Sequence, residues 1–307
     1  MIGAVAVVAI GATGAFFSDT ETSTGNTFTA GAIDLGIDNT SYYNGHPNPG
    51  TSWTIDYDLD DGCPNPLFDP ANPVLPSTIP CLFFNFSDLK PGDTGEDTIS
   101  LHVNNNNAWA CVDVTLTKND DVDCTEPEND INAENGACDD PDLDATDGEL
   151  ANAVEFLWWA DDGDNVLEDN EHVINSGAVL GALAVNQTAS VPLATPDGNG
   201  VLGSGPLTGA QDYYIGKAWC FGGINPVPDD QDGSGILKTP AGDNAGLGQL
   251  PDGTPGTPED GGFSCSGASG AGNETQTDSL MADITFRAEQ ERNNPDFTCA
   301  LPNGSTF

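Results

Sequence analysis

Two segments about a third of the way along the chain, Ile99–Val103 (ISLHV) and Cys111–Leu116 (CVDVTL), alternate apolar with polar residues. This period of two is typical of β-strands that bury one face and leave the other in water. The same alternation returns at Met281–Phe286 (MADITF). Residues 154–159 (VEFLWW) and 213–221 (YYIGKAWCF) are mostly apolar or aromatic, which indicates central strands of a sheet.

Clusters of Gly, Pro, Asn and Asp separate these segments at residues 44–50, 104–107, 119–147 and 222–272. Because 37 Gly and 22 Pro accompany regular strand patterns, we expect an all-β sandwich with long loops and almost no helix. The tracts 119–147 and 222–272 are interpreted as Gly/Asp-rich insertions into loops, where added length costs little free energy. A chain of 307 residues fits one elaborated domain of this kind.

Acidic residues dominate the charge. The chain has 49 Asp and Glu against 6 Lys and Arg, and its formal net charge is -43. This charge repels phosphate backbones and anionic lipids, so neither nucleic acid nor direct membrane binding by the mature chain is expected. It also opposes close packing of identical subunits unless cations are bound, salt is high or the carboxylates stay on the outer face.

The N-terminal run from Ile2 to Phe17 is apolar and is interpreted as a signal-peptide core with its cleavage region, which assigns residues 1–16 to the signal segment. The run is shorter than the ~20 residues of a membrane-spanning helix. Its retention as a strand is the alternative. The sequence thus predicts a secreted, extracellular protein.

The cysteines are eight in number and include no CxxC pair. An even number in an exported chain favours disulfides over a thiolate metal site. Proximity along the chain predicts three pairs and leaves a fourth to join distant strands. The predicted pairs are Cys63–Cys81, Cys124–Cys138, Cys220–Cys265 and Cys111–Cys299.

One acidic segment, residues 158–171 (WWADDGDNVLEDNE), has six carboxylates and two side-chain amides in a turn after an apolar strand. A hard cation such as calcium takes about six to eight oxygen ligands, and the spacing is not that of an EF-hand. No cofactor is required, and calcium is the ion predicted here. The predicted ligands are Asp161, Asp162, Asp164, Asn165, Glu168 and Glu171. The alternative is a solvated acidic hairpin, and residues 58–62 and 229–233 are weaker calcium candidates.

Motifs for catalysis are missing from the sequence. His46, His102 and His172 are its histidines; none lies in an HExxH motif or beside a plausible nucleophile, and no GxSxG occurs. The glycine pattern at residues 198–203 matches a dinucleotide fingerprint by letter but lacks the flanking strand and helix, so a loop is expected. We therefore predict no enzymatic activity.

Glycans are partners that the sequence allows. Asn-X-Ser/Thr sequons, the acceptor motif for N-glycosylation, occur at Asn39, Asn85, Asn186, Asn273 and Asn303. In a chain rich in Asn and Thr most such motifs arise by chance, and their occupancy depends on the host.

Residues 15–19 (AFFSD) and 26–35 (NTFTAGAIDL) resemble the N-terminus of the TasA/camelysin family of secreted biofilm-matrix fibre proteins. Two weaker matches follow in the family's order, residues 88–93 (DLKPGD) and the terminal strand at 284–290 (ITFRAEQ). The resemblance implies cleavage by a dedicated signal peptidase, a jelly-roll-like sandwich, and polymerisation by donor-strand complementation. The cysteines and the acidic excess depart from the family pattern.

Donor-strand assembly also has a physical rationale. A sandwich that lacks one strand exposes an edge that a neighbour's N-terminal segment can fill, and such head-to-tail contacts propagate into a filament. The predicted donor is residues 17–30, with Phe17, Phe28 and the nearby Ile33 as anchors, and residues 31–307 form the sandwich domain. The structural alternative is that Thr27–Leu35 is simply the first strand of its own sandwich.

The predicted function is a subunit of a homopolymeric extracellular filament or biofilm-matrix fibre. The main alternative is a monomeric calcium-binding surface adhesin or ligand-binding module, in which the same sandwich is complete by itself. A weaker alternative is a secreted metal-dependent hydrolase.

Overall fold

The structure is a computed structural model that describes residues 18–23, 26–31, 35–56, 62–65, 67–71, 75–121, 148–229, 261–267, 274–292 and 294–299, with backbone alone for residues 18–23 and 26–31. The strands are β1 (Ser18–Ser23), β2 (Asn26–Gly31), β3 (Leu35–Tyr43), β4 (His46–Pro47), β5 (Trp53–Asp56), β6 (Cys63–Pro64), β7 (Thr78–Ile79), β8 (Thr94–Val103), β9 (Ala108–Asp120), β10 (Val154–Asp161), β11 (His172–Val179), β12 (Thr188–Ala194), β13 (Gln211–Phe221), β14 (Ile224–Pro226), β15 (Phe263–Cys265) and β16 (Ser279–Gln290). One helix, α1 (Leu150–Ala153), and a 3-10 turn at Leu180–Ala182 complete the described elements. Among them, no helix has the length and apolar character needed to cross a membrane.

Two large sheets form the sandwich. The five-stranded sheet has the order β1-β2-β16-β9-β12, and the seven-stranded sheet has the order β11-β10-β13-β8-β3-β4, with β5 also paired to β3. Two small two-stranded sheets, β14-β15 and β6-β7, lie outside them. The prediction of an all-β sandwich is confirmed, while its finer jelly-roll description stays a prediction.

The predicted strands are present. The alternating segments fall in β8, β9 and β16, and the two apolar runs form β10 and β13, which have neighbours on both sides. The expectation of a half-exposed strand is wrong for β8, because its outward-facing Glu96, Thr98 and Ser100 are also buried. A second layer covers this face of the sheet, as described below.

The main core lies between the two large sheets. Val112 and Leu116 of β9 and Phe286 of β16 face Ile99 of β8 and Trp219 of β13, and all five side chains are buried. The segment between β7 and β8 adds aromatic rings to this core, which include Phe83, Phe84 and Phe86. The tryptophans at positions 53, 109, 158, 159 and 219 are all buried.

A smaller core covers the outer face of the seven-stranded sheet. Leu157 and Trp159 of β10 pack there with Leu167, Ile224 and Phe263. Trp159 lies across from Gly216 of β13, where a Cβ would come within 2.0 Å of the indole ring. The residues at 222–272 that were interpreted as loop insertion therefore contribute β14 and β15 to a packed layer.

Three of the predicted disulfides are present and join residues with Cα–Cα distances of 5.0, 5.7 and 5.6 Å. They are Cys63–Cys81, Cys111–Cys299 and Cys220–Cys265. The predicted pair Cys124–Cys138 lies outside the described residues. Three disulfides indicate that the chain folds in an oxidising environment.

The N-terminal strands lie at one edge of the five-stranded sheet. β1 pairs antiparallel with β2, and β2 pairs parallel with β16, with Phe28 opposite Phe286 and Ala30 opposite Ala288. Within this chain, most of the predicted donor segment is thus paired in the chain's own sheet, although the alternative of one first strand over Thr27–Leu35 is wrong, because β1 precedes β2 and Leu35 begins β3 in the other sheet. The exchange of this segment between chains stays a prediction, and residues 1–17, which contain the predicted signal segment, lie outside the described residues.

Candidate functional site

The loop that joins β10 to β11 folds back over the outer face of the seven-stranded sheet. We call residues 161–171 the acidic hairpin. Gly163 (φ 108°) and Asn165 (φ 69°) adopt left-handed backbone conformations, which glycine and asparagine tolerate best. A Cβ on Gly163 would also lie 3.0 Å from the ring of Tyr214. The sequence GDN at positions 163–165 therefore permits this close fold.

Apolar side chains anchor the acidic hairpin. Val166 and Leu167 are fully buried, and Leu167 packs in the smaller core on the outer face of the seven-stranded sheet. The Leu167 amide donates to the Gly261 carbonyl at 3.0 Å, and the Leu167 carbonyl accepts from the Asp229 amide at 3.0 Å. The Asp169 amide in turn donates to the Asp229 carbonyl at 2.8 Å. Backbone hydrogen bonds thus join the acidic hairpin to two segments that are distant in the sequence, at Asp229 and at Gly261.

Two carboxylates of the acidic hairpin accept hydrogen bonds from its own backbone amides. Asp161 accepts hydrogen bonds from the amides of Gly163 (2.7 Å), Asp164 (3.1 Å) and Asn165 (3.2 Å). Glu171 accepts from the amides of Asp162 at 2.8 Å and Glu168 at 3.0 Å. These bonds fix both carboxylates against the backbone and hold the acidic residues close together.

Five of the six predicted metal ligands meet in two overlapping sets. Oxygens of Asp161, Asp162 and Asp164 lie within 4.8 Å of one another, and so do oxygens of Asp162, Glu168 and Glu171. Asp164 and Glu168 are 0% exposed, so these sets extend into the protein. The amide oxygen of the sixth, Asn165, instead contacts the Thr98 hydroxyl on β8.

Asp229 is a neighbour that the sequence did not place with the hairpin. It belongs to a separate acidic segment, yet it forms a β-bridge with Glu168, and its side chain is 3% exposed. The sequence did mark both segments, 161–171 and 229–233, as acidic, and this was the signal that could have linked them. Which two acidic segments would meet depended on the fold of the outer layer. Of the other calcium candidate at 58–62, only Gly62 is described.

Burial and mutual repulsion change the acidity of the hairpin. Burial, together with the charges of Asp164 and Asp162, raises the pKa of Asp161 to about 7, although backbone hydrogen bonds oppose the shift. Burial and the charge of Asp161 raise the pKa of Glu171 to about 9 against similar opposing bonds. A bound cation would offset both effects. The acidic hairpin can therefore hold a metal ion with oxygen ligands.

Of the predicted assembly residues, Phe28 lies in the five-stranded sheet. Phe28 is on β2, in register with Phe286 of β16, whose side chain is 1% exposed. Phe17 and Ile33 lie outside the described residues. The pairing between β2 and β16 covers five register positions, from Asn26 opposite Ile284 to Ala30 opposite Ala288.

The histidines occupy separate positions. His46 and His172 are exposed. His102 on β8 lies between Asp38 of β3 and Asp212 of β13, with both ring nitrogens 2.7 Å from a carboxylate oxygen. Burial alone would lower its pKa, but these two carboxylates outweigh that effect and raise the pKa. The arrangement ties three strands together on the outer face of the sheet.

The described sequons differ in accessibility. Asn39 is 1% exposed and its amide donates to the Thr51 carbonyl at 2.6 Å, so the folded chain offers no acceptor there. Asn85 and Asn186 are exposed. Asn273 and Asn303 lie outside the described residues. The glycine-rich segment 198–203 is a loop between β12 and β13, as predicted.

No protein-family model matches the chain, and the curated proteins include no match to it.

Proposed function

We propose that the chain is a non-enzymatic, extracellular structural subunit that polymerises head-to-tail when each copy lends its N-terminal strand to the next. One observation carries the proposal: β2 adds in parallel to β16 at the edge of a sheet whose other described pairs are antiparallel. A strand added to an edge is held by main-chain hydrogen bonds. The same segment of another copy can make those bonds equally well.

Exchange of this segment is supported by its position. β2 belongs to the five-stranded sheet and β3 to the seven-stranded sheet, with residues 32–34 between them. Without β1 and β2, the strand β16 would be an edge with unpaired N–H and C=O groups beside the buried Ile284 and Phe286. Such an edge favours refilling by an identical strand, and exchange of identical elements is a low-cost route to assembly.

The setting fits a secreted fibre protein. Three disulfides stabilise the described chain, and the motif at residues 26–35 resembles that of biofilm-matrix fibre subunits. A net charge of -43 makes subunits repel one another, so we expect assembly to require salt or divalent cations. Location in a matrix or on a cell surface is part of this proposal.

Deletion of residues 17–31, which removes both β1 and β2, tests the proposal, with Phe28→Asp as a second variant. Both should give a folded protein, with the disulfides intact, that forms no filaments in negative-stain images. A charge in an apolar groove costs several kcal/mol, which explains the expected effect of Phe28→Asp. Leu75→Asp is the matched control, because it places the same charge at a side chain that is 45% exposed and should leave filaments unchanged.

A synthetic peptide of residues 17–30 should shorten the filaments by occupying their growing ends. Normal filaments from the deletion variant would contradict exchange of this segment. Normal filaments from Phe28→Asp alone would contradict its role as an anchor.

A second candidate function is calcium binding by the acidic hairpin, which the two sets of converging oxygens favour. Calcium accepts carboxylate ligands in irregular geometry, and the hairpin offers carboxylates from Asp161, Asp162, Asp164, Glu168 and Glu171. In a protein that binds calcium but never forms filaments, this site would support the adhesin or ligand-binding alternative. Calorimetric titration with calcium, with Asp164→Asn as the variant, measures the binding directly.

A further inference from the structure

The inner face of the seven-stranded sheet contains a fully buried lysine and aspartate. Lys217 on β13 and Asp97 on β8 are direct partners in the strand register, and both side chains are 0% exposed. Lys217 Nζ lies 2.8 Å from Asp97 Oδ2. An amine and a carboxyl group are thus held at ion-pair distance inside the core of the sandwich.

Neighbouring groups hold both partners in place. Nζ donates a hydrogen bond to the Phe83 carbonyl at 3.2 Å and lies 3.8 Å from the centre of the Phe84 ring. The Asn39 amide nitrogen donates to Asp97 Oδ1 at 3.3 Å and to the Thr51 carbonyl at 2.6 Å. The two oxygens of Asp97 therefore have different partners, the amide of Asn39 on one side and the amine on the other.

We propose that Lys217 and Asp97 condense to an intramolecular amide bond that cross-links β13 to β8. The 2.8 Å contact places Nζ beside the carboxyl group that it would attack, and the nearby rings of Phe83 and Phe84 exclude the water that would otherwise favour hydrolysis. Condensation also replaces two buried charges, whose removal from water costs several kcal/mol each, with a neutral amide. Two of the strands at the centre of the sheet would then be joined covalently.

The reaction needs no reagent beyond the pair itself. A proton first moves from the Lys217 ammonium to the Asp97 carboxylate, and burial favours this neutral state because it lowers the pKa of Lys217, although Asp97 opposes the shift. The lone pair of Nζ then attacks Cγ of Asp97. The C–Oδ2 bond breaks, Oδ2 leaves as water with one proton from the acid and one from the amine, and an Nζ–Cγ amide bond remains.

Asn39 is placed to assist as a positioning residue. Its amide nitrogen contacts Oδ1, where negative charge develops when Nζ attacks, and such a donor stabilises the intermediate. Its amide oxygen is buried and has no hydrogen-bond partner in the described part of the chain. That oxygen is available to accept a hydrogen bond from the departing water.

The intact mass of the reduced, denatured protein tests the proposal. The wild-type chain should be lighter than its sequence by one water, and a digest should contain a branched peptide that joins Lys217 to Asp97. Lys217→Met should restore the full mass. Lys118→Met is the matched control, because Lys118 lies 2.9 Å from Asp120 at a partly exposed position, and this variant should keep the loss of water.

Three results would overturn the proposal. The first is full mass in the wild-type protein after prolonged incubation in the folded state. The second is a loss of water that persists in Lys217→Met, since dehydration at an Asp-Gly sequence would then explain it. The third is loss of ammonia with a branch at Asn39, which would make Asn39 the acceptor in place of Asp97.

The role of Asn39 has its own readout. Refolding Asn39→Ala and following the mass with time should show formation of the bond about a hundredfold slower than in the wild-type protein, as expected for the loss of one donor to the developing charge. Thermal unfolding and the three disulfides report whether the variant is folded. An unchanged rate in the folded variant would overturn this role.

Discussion

The two faces of the seven-stranded sheet bury charged groups in different ways. On the inner face, Lys217 meets one carboxylate, that of Asp97, and both are completely enclosed. On the outer face, the acidic hairpin brings carboxylates of one sign within 4.8 Å of each other. The inner pair is balanced in charge, while repulsion on the outer face contributes to the raised pKa values of Asp161 and Glu171.

The difference shows how a strongly acidic protein can bury charge. A matched pair needs nothing from the solvent, but it becomes costly when one partner is removed. The free-energy cost of a group of like charges depends on pH and on cation concentration, because bound protons and cations both reduce the repulsion between the charges. We therefore expect the inner pair to control stability under all conditions and the outer group to make stability depend on pH and calcium.

The largest effect is expected from breaking the inner pair. Lys217→Met should lower the free energy of unfolding by about 3–5 kcal/mol, because Asp97 stays buried without its counter-charge. The double variant Lys217→Met/Asp97→Leu should recover the part of this loss that comes from the unpaired charge, but not the part that comes from loss of the proposed cross-link. Denaturant unfolding measures both. Lys118→Met should cost no more than about 1 kcal/mol, because the Lys118 pair is partly exposed, and equal losses in the two lysine variants would contradict the comparison.

The next largest effect on stability is expected from calcium binding at the acidic hairpin. At a hundredfold excess over its dissociation constant, calcium should raise the free energy of unfolding by about 2.7 kcal/mol. Asp164→Asn should reduce this gain, while Asp69→Asn, at an exposed position, should leave it unchanged. Thermal melts in calcium and in chelator at fixed ionic strength measure the difference. Identical melts would rule out a site of this strength.

A smaller effect is expected from pH in the presence of chelator. The pKa values of Asp161 and Glu171 rise to about 7 and about 9 on folding, so the folded state binds more protons than the unfolded state above about pH 4. Their contribution to stability should thus fall as pH rises from about 4 to about 9, by at least about 1 kcal/mol after allowance for solvent screening. Calcium should flatten this dependence in urea unfolding series. A slope that calcium leaves unchanged would contradict the model of a proton- and cation-sensitive group.

The smallest effect should come from His102. Both ring nitrogens can donate to Asp38 and Asp212 only when the ring is protonated, and the pKa is raised in the folded state. This contribution is fully present below pH 6.5 and is lost as pH rises through the raised value. His102→Gln should therefore cost about 1 kcal/mol near pH 6 and less at alkaline pH. The exposed His172→Gln is the control, and a loss that does not depend on pH would contradict the ion pairs.

Much of the fold could be predicted from local patterns. Alternation located β8, β9 and β16, and continuous apolar runs located β10 and β13, because side chains on a strand repeat every two residues. Proximity along the chain was enough to pair Cys63 with Cys81 and Cys220 with Cys265. Burial of both faces of β8 was missed, since its cover comes from segments far away in the sequence.

The acidic hairpin was predictable in part. Its carboxylates and its turn residues lie within a single short segment, so composition alone located it. Two contacts could not be predicted: the hydrogen bond of Asn165 with Thr98, and the β-bridge between Asp229 and Glu168. Both depend on how the outer layer packs against the sheet.

The sequence by itself determined the all-β fold class, the oxidising environment indicated by the cysteines, and the acidic excess. These follow from composition and from the two-residue alternation of apolar and polar side chains. Tertiary structure alone decided that β2 runs parallel to β16 and that Lys217 meets Asp97 beside Asn39. No local pattern carries these contacts. They arise because strands that are distant in the chain become neighbours when the two sheets close around their core.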